Sequence, residues 1–179
     1  MAEPMTVWVE VWPVAADQVG VWLLSGDDAL RSSLPVAADS EPHFEVEALL
    51  AAADMRNDTV LLHSTSWRPD GPRVVLTYVA VVQGGSLERL VRDRWTTALP
   101  VSLELADAVG RPPEHRPDAP PVPRYVDVLL HAVRHLRFLL DTDASNRAAL
   151  DANWARHLGA LTPALAGMYD PAATGTHAQ

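Results

Sequence analysis

Alternating apolar positions predict strands at the start of the chain. Thr6–Trp12 alternates with a period of two, and a second apolar run, Val19–Leu24, follows a turn at Ala15–Gln18. We expect these runs to form a hairpin, with Pro13 ending the first strand or lying at an edge, because proline cannot donate to a strand ladder. Ala29–Ser33 is predicted to be a short helix.

A longer helix is predicted from Ser40, as its N-cap, to about Ala53. Pro42 falls in its first turn, where proline is tolerated. Helical spacing predicts an apolar face made of Phe44, Ala48, Ala51, Ala52 and Met55.

The stretch Thr59–Val82 is predicted to be the central hairpin, because two β-rich runs flank the turn sequence Arg68–Arg73. With Arg68 opposite Arg73, His63, Trp67 and Tyr78 would share one face of the sheet. The other face would carry small hydroxylated side chains. We therefore predict a polar ligand-binding wall near the turn, the alternative being an ordinary half-solvated sheet end; its residues are His63, Ser64, Ser66, Trp67, Thr77 and Tyr78.

The second half of the chain is predicted to be helical. Arg124–Leu140 has a wide apolar face, and a second helix, capped by Asp143 or Ser145, runs to about Leu158. The apolar positions of the first helix are Val126, Leu129, Leu130, Val133, Leu136, Leu139 and Leu140. Those of the second helix and the residues after it are Leu150, Trp154, Leu158 and Leu161. Short helices are also predicted at 86–92 and from Thr162.

These elements predict a single α+β domain. Residues 1–110 would hold a mixed or antiparallel sheet of two hairpins with a packed helix. The proline-rich segment 111–123 would be an extended connector. Residues 124–170 would form an antiparallel helical pair packed on the same domain, and 171–179 a flexible tail.

Composition excludes several classes of site. The 179 residues include no cysteine and no lysine, which excludes disulfides, thiolate metal sites, a P-loop lysine and a pyridoxal Schiff base. This usage is typical of a GC-rich genome, such as an actinobacterial one. The net charge of −9, with no dense arginine run, argues against nucleic-acid binding. Without a leader pattern or an apolar run of about 20 residues, we expect a soluble cytoplasmic protein.

A second candidate site lies on the first C-terminal helix. Asp127, His131 and His135 follow each other at intervals of four and share one stripe. Two histidines at this spacing, with a carboxylate, can hold a divalent metal such as Zn²⁺ or Mn²⁺. The alternative is that these residues form the solvated face of an amphipathic helix.

The order of elements up to Val82 resembles a Nudix domain. When the Nudix box, Arg-Glu-x-x-Glu-Glu-x-Gly, is placed on the predicted helix, Glu47 matches the glutamate that follows the box arginine. The box arginine falls on Val46, and the metal-binding glutamate pair falls on Leu50 and Ala51. The resemblance implies a degenerate Nudix-like cleft that keeps Glu47 and binds a nucleotide or metabolite without the usual hydrolysis.

Three functions follow as hypotheses. The leading one is a non-catalytic small-molecule or nucleotide-binding, or regulatory, protein that needs no cofactor. The first alternative is a metal-dependent hydrolase that uses Asp127, His131 and His135. The second is an interaction module that presents the proline-rich strip and exposed tryptophans to a protein partner.

Overall fold

A mixed sheet organises the part of the chain that the computed structural model describes, residues 5–83, 96–108 and 125–165. Its strands follow the order β4-β5-β1-β2-β6, and β3 pairs with β1 beside this path. β1 is parallel to β5 and antiparallel to β2 and β3, which confirms the α+β class with a mixed sheet. The strands are β1 (Thr6–Ala16), β2 (Val21–Leu23), β3 (Leu30–Arg31), β4 (Thr59–Asp70), β5 (Arg73–Val82) and β6 (Leu99–Pro100).

Helices cover both faces of the sheet. The helices in the described ranges are α1 (Pro42–Ala52), α2 (Tyr125–Thr142), α3 (Ala144–Ala149) and α4 (Ala152–Leu158). Short 3₁₀ turns occupy Arg56–Asp58 and Leu103–Ala108. On what we call the α1 face, Val46 and Leu50 of α1 pack with Val9, Val11 and Ala80 of the sheet. The opposite side is the α2 face, where the sheet residues Trp12, Val79 and Val81 pack with Leu130, Leu136 and Trp154.

The sequence predicted that Pro13 would end β1 or lie at an edge. Instead, Pro13 lies inside this central strand. The carbonyl of Pro13 accepts a hydrogen bond from the Leu24 amide at 2.9 Å. The N–H that proline lacks would therefore point to the same side of β1, toward β2 and β3. Pro13 lies between the residues of β1 that pair with β3 and those that pair with β2. The proline is tolerated because it coincides with this gap in the ladder.

The central hairpin forms, but the predicted pairing near its turn is wrong by two residues. Asp70, not Arg68, lies opposite Arg73, and Gly71 (φ +58°) with Pro72 makes the turn. A bulge between Ser64 and Ser66 then shifts the register of β4. Because side chains alternate across a strand, the extra residue moves every position beyond it to the opposite face.

The predicted apolar face of α1 is also wrong. Phe44 is 61% exposed, whereas Val46 and Leu50 are buried against the sheet. Alanine and larger apolar residues occur on several sides of this helix, so periodicity alone did not identify the packed side. Its N-cap is Glu41 rather than Ser40, with no side-chain capping bond.

The C-terminal helices differ from the predicted pair. The apolar face of α2 is confirmed, since Leu129, Leu130, Val133, Leu136, Leu139 and Leu140 are buried. The second helix is broken into α3 and α4, which are capped by the side chains of Asp143 and Asp151. Residues 162–165 are not helical, and Ala29–Ser33 contains β3 in place of the predicted helix.

Several predictions lie outside the described residues: the short helix at 86–92, the proline-rich connector and the tail from 171. In the described ranges, none of the helices combines the length and apolar character needed to cross a membrane.

Candidate functional site

A cleft of about 340 Å³ lies between α1 and the start of the edge strand β4. Its accessible apolar lining residues are Val60 and Leu62, whereas Leu50 and Leu61, which also border it, are buried at 1% and 7% exposure. Its polar lining residues are His43, Glu47, Arg56, Asn57 and Thr59.

Glu47 contacts the side chains of both His43 and Arg56 at this cleft. Its Oε1 lies 3.2 Å from Nε2 of His43, one helical turn earlier, and its Oε2 accepts a 2.8 Å hydrogen bond from Nη2 of Arg56. Glu47 is about one-third exposed, and the other two side chains are more open. The carboxylate is therefore positioned by local contacts at the protein surface, where each ion pair contributes little to stability.

The chain reverses direction at the end of α1, and this reversal places Arg56 beside the cleft. The amides of Asp54 and Met55 bond to the carbonyls of Ala51 and Leu50, at 3.1 and 2.8 Å. Together with the positive φ of Asp54, 56°, these bonds form a Schellman motif. The reversal buries Met55 with Leu50 and directs the Arg56–Asp58 turn back beside Glu47.

The cleft suits recognition better than hydrolysis. An apolar group of a ligand can contact Val60 and Leu62 while donors of Arg56 and Asn57 face a polar substituent. Glu47 is the sole carboxylate among its lining residues. Metal-assisted hydrolysis of a diphosphate uses several carboxylates to hold its ions, and this cleft has one.

The hairpin residues predicted to form a binding wall are divided between the two faces. His63 pairs with Val79 and lies on the α2 face, as do Ser66 and Thr77. Tyr78 lies on the α1 face with its partner Ser64. Trp67 lies on that face too, 67% exposed, opposite Leu76. The bulge after Ser64 separates His63 from Trp67 and Tyr78, so the face predicted to hold these three residues does not form.

The histidines of α2 are buried, which overturns the solvated-face alternative for them. His131 and His135 are 9% and 3% exposed. The ring of His135 stacks on two aromatic neighbours. Its centroid lies 4.9 Å from that of His63 and 5.7 Å from that of Phe138. Burial, followed by the charges of His135 and Arg134, lowers the pKa of His131 to about 4. Burial also lowers the pKa of His135 and His63.

The predicted metal-ligand triad is not assembled. Within residues 5–83, 96–108 and 125–165, no three histidine or carboxylate side chains are placed to hold one metal ion. Asp141 pairs with Arg137 at 3.0 Å, and Asp143 caps α3. His157 lies 2.8 Å from the carbonyl of Asp17. The side chains of these three residues are therefore engaged away from His131 and His135.

A buried polar network near the hairpin turn was missed from the sequence. Glu10 is completely buried on the α2 face and accepts hydrogen bonds from Arg68 and Thr77. Burial alone would raise the pKa of Glu10, but the bonds and charge of Arg68, helped by Thr77 and Arg31, hold it below its usual value. The available signal was a glutamate inside an otherwise apolar alternating strand.

Sequence reasoning placed Glu47 in a cleft but did not identify His43, Arg56 or Asn57. The four-residue spacing of His43 and Glu47 was a usable signal, because such pairs meet on a helix surface. Comparison with family models, curated proteins and solved structures found no match to this chain.

Proposed function

We propose that this protein is a non-catalytic small-molecule-binding protein whose cleft, between α1 and β4, takes a nucleotide or a related metabolite. The observation that carries the proposal is the combination of two accessible apolar residues, Val60 and Leu62, with Arg56 and Asn57 at one concave site. Small-molecule sites are concave and use a few polar groups to fix the orientation of the ligand.

The volume and the donors of the cleft favour this ligand class. About 340 Å³ lies at the lower end of the range of ligand pockets. The bond to Glu47 uses one N–H of Arg56, and a guanidinium has five donors, which suit a phosphate. A base or another flat ring would contact Val60 and Leu62.

The residues of α1 support binding without hydrolysis. Leu50 is buried in the core at 1% exposure, and the exposed Ala51 beside it has no polar side chain. These are the positions at which the Nudix resemblance would require the metal-binding glutamates. The oxygens of Glu47 are already engaged, one by Arg56 at 2.8 Å and the other 3.2 Å from His43.

The test is a thermal-melt screen of the purified chain with nucleosides, nucleoside mono-, di- and triphosphates and nucleoside diphosphate sugars. A ligand at one hundred times its Kd stabilises the fold by about 2.7 kcal/mol, which is a shift of several degrees. Binding should weaken by about tenfold or more in Arg56→Gln, since a charge-assisted bond is lost. The matched control is Arg156→Gln, an exposed arginine of α4 outside the cleft.

The outcomes separate binding from catalysis. Stabilisation that is lost in Arg56→Gln, kept in Arg156→Gln and accompanied by no turnover supports the proposal. Hydrolysis of a nucleoside diphosphate derivative that survives repurification and disappears in Glu47→Gln would overturn its non-catalytic part. Absence of stabilisation by the whole panel, or equal stabilisation of both arginine variants, would reject the assigned ligand class or site.

A further inference from the structure

His131 and His135 lie one helical turn apart on α2, and both are more than nine-tenths buried. In each ring, Nε2 is buried without a hydrogen-bond partner. Buried polar atoms in folded proteins nearly always have a partner, so two orphaned nitrogen atoms on one side of one helix require a physical explanation.

The partners of these rings show that their Nε2 atoms are acceptors. Nδ1 of His135 lies 3.0 Å from the carbonyl oxygen of Ala164, so this nitrogen carries the proton and donates it. His131 forms a hydrogen bond with the backbone of Thr65, and because its Nε2 has no partner this bond is assigned to Nδ1. A neutral imidazole has one donor and one acceptor nitrogen, and the acceptor lone pair of each ring is therefore left on Nε2.

This arrangement is the one that metal-binding histidines adopt. A metal-ligating histidine almost always donates its other ring N–H to a backbone carbonyl or carboxylate, which fixes its tautomer and orientation. Two histidines separated by four helical residues present their rings on the same side, where one ion can reach both. Imidazole nitrogen suits borderline divalent ions such as Zn²⁺ and Cu²⁺.

We propose that His131 and His135 form a two-histidine site for a borderline divalent transition-metal ion such as Zn²⁺. The protein would supply two nitrogen ligands through the buried Nε2 atoms, and water or a small anion would complete the coordination. An anion is favoured there because the guanidinium of Arg134, which donates to the Thr162 carbonyl at 2.8 Å, lies on the same helix and opposes a bare cation.

This site is independent of the proposed cleft. It lies on the α2 face of the sheet, whereas the cleft lies beside α1 on the opposite face. Failure of metal binding therefore leaves the nucleotide proposal unaffected, and the reverse is also true.

The experiment is isothermal titration of the full-length, tag-free, metal-stripped protein with Zn²⁺ at pH 7.5. We expect one site that weakens by about tenfold or more in His131→Gln and in His135→Gln, and that is unchanged in His157→Gln. His157 is the matched control because it is a histidine of α4 outside both proposed sites, with its Nε2 2.8 Å from the carbonyl of Asp17. Circular dichroism of each variant without metal reports whether it folds.

A second measurement needs no substitution. Long-range ¹H–¹⁵N spectra of the wild-type imidazoles should show Zn²⁺ shifting the Nε2 resonances of His131 and His135 while Nδ1 stays protonated. Absence of binding up to about 1 mM Zn²⁺, which corresponds to about −4.1 kcal/mol, would overturn the site. So would binding that leaves these two Nε2 resonances unchanged, or that survives in both variants.

Discussion

Glu10 and Arg68 come from strands that are not neighbours, and their side chains meet across β5. Arg68 binds both carboxylate oxygens of Glu10, with Nη2 donating to Oε2 at 2.8 Å. Thr77, on the intervening strand, donates to the same carboxylate at 2.8 Å and accepts from Arg68 at 3.2 Å. The network fixes the position of three strands at the end of the sheet that holds the hairpin turn.

Removing Arg68 should destabilise the protein strongly. Arg68→Ala leaves the carboxylate of Glu10 buried without its main partner, and breaking a buried pair in this way costs about 3–5 kcal/mol. Urea denaturation of the variant at pH 7 measures the loss. Arg31→Ala is the matched control, because Arg31 contacts Glu10 at 3.4 Å but is about half exposed. Equal losses in the two variants would contradict the central role of Arg68.

His131 predicts a loss of stability on acidification. Burial, with the neighbouring His135 and Arg134, lowers its pKa from 6.5 to about 4. Between these pH values the unfolded chain binds a proton that the folded protein does not, so the free energy of unfolding decreases as the pH falls. The pKa difference corresponds to about 3 kcal/mol. Urea denaturation of metal-free protein from pH 7.5 to 4.5 checks this.

The His131→Gln variant tests the assignment of this pH dependence, and Glu10 predicts a further loss of stability at lower pH. His131→Gln should reduce the slope between pH 6.5 and 4, and the remaining slope should come from His135 and His63, whose pKa values burial also lowers. A wild-type slope in His131→Gln would contradict the assignment.

Glu10, whose pKa is depressed in the folded protein, contributes stability above its ordinary pKa of 4.5, and this stability is lost as the pH falls further.

Asp54→Gly should stabilise the protein. Asp54 ends α1 at φ 56°, a left-handed conformation that costs an L-residue about 1 kcal/mol and costs glycine little. Thermal melting should therefore show an increase of a few degrees in Tm. Ala53→Gly, one residue earlier at φ −91°, should lower the Tm instead because it adds backbone freedom without relieving strain. A decrease in both variants would argue against the Schellman geometry.

Two apolar residues of α1 should respond very differently to truncation. Leu50→Ala should cost about 2–5 kcal/mol because it opens a cavity in the α1-face core. Phe44→Ala should change the free energy of unfolding by less than about 0.5 kcal/mol, since Phe44 is largely exposed. Equilibrium denaturation of both variants tests which side of α1 packs on the sheet. A larger loss of unfolding free energy in Phe44→Ala than in Leu50→Ala would show that the face predicted from helical spacing packs on the sheet.

Part of the candidate site could be predicted from the sequence. Glu47 was identified through the Nudix resemblance, and its partner His43 lies one turn away on the same helix. Arg56 was not identified, because its position depends on the Schellman reversal at Asp54, an aspartate where glycine would be the usual signal. His131 and His135 were noticed by their spacing, but their burial depends on contacts with β4 and with Ala164.

The sequence by itself determined the elements whose signals are local. The apolar face of α2, the existence of the central hairpin and the capping aspartate of α3 all follow from residues a few positions apart. Tertiary structure decided the parallel pairing of β1 with β5, the bulge beside Ser64, the packed side of α1 and the burial of Glu10. Each of these depends on partners distant in sequence, and a single extra residue in a strand changes which face its side chains occupy.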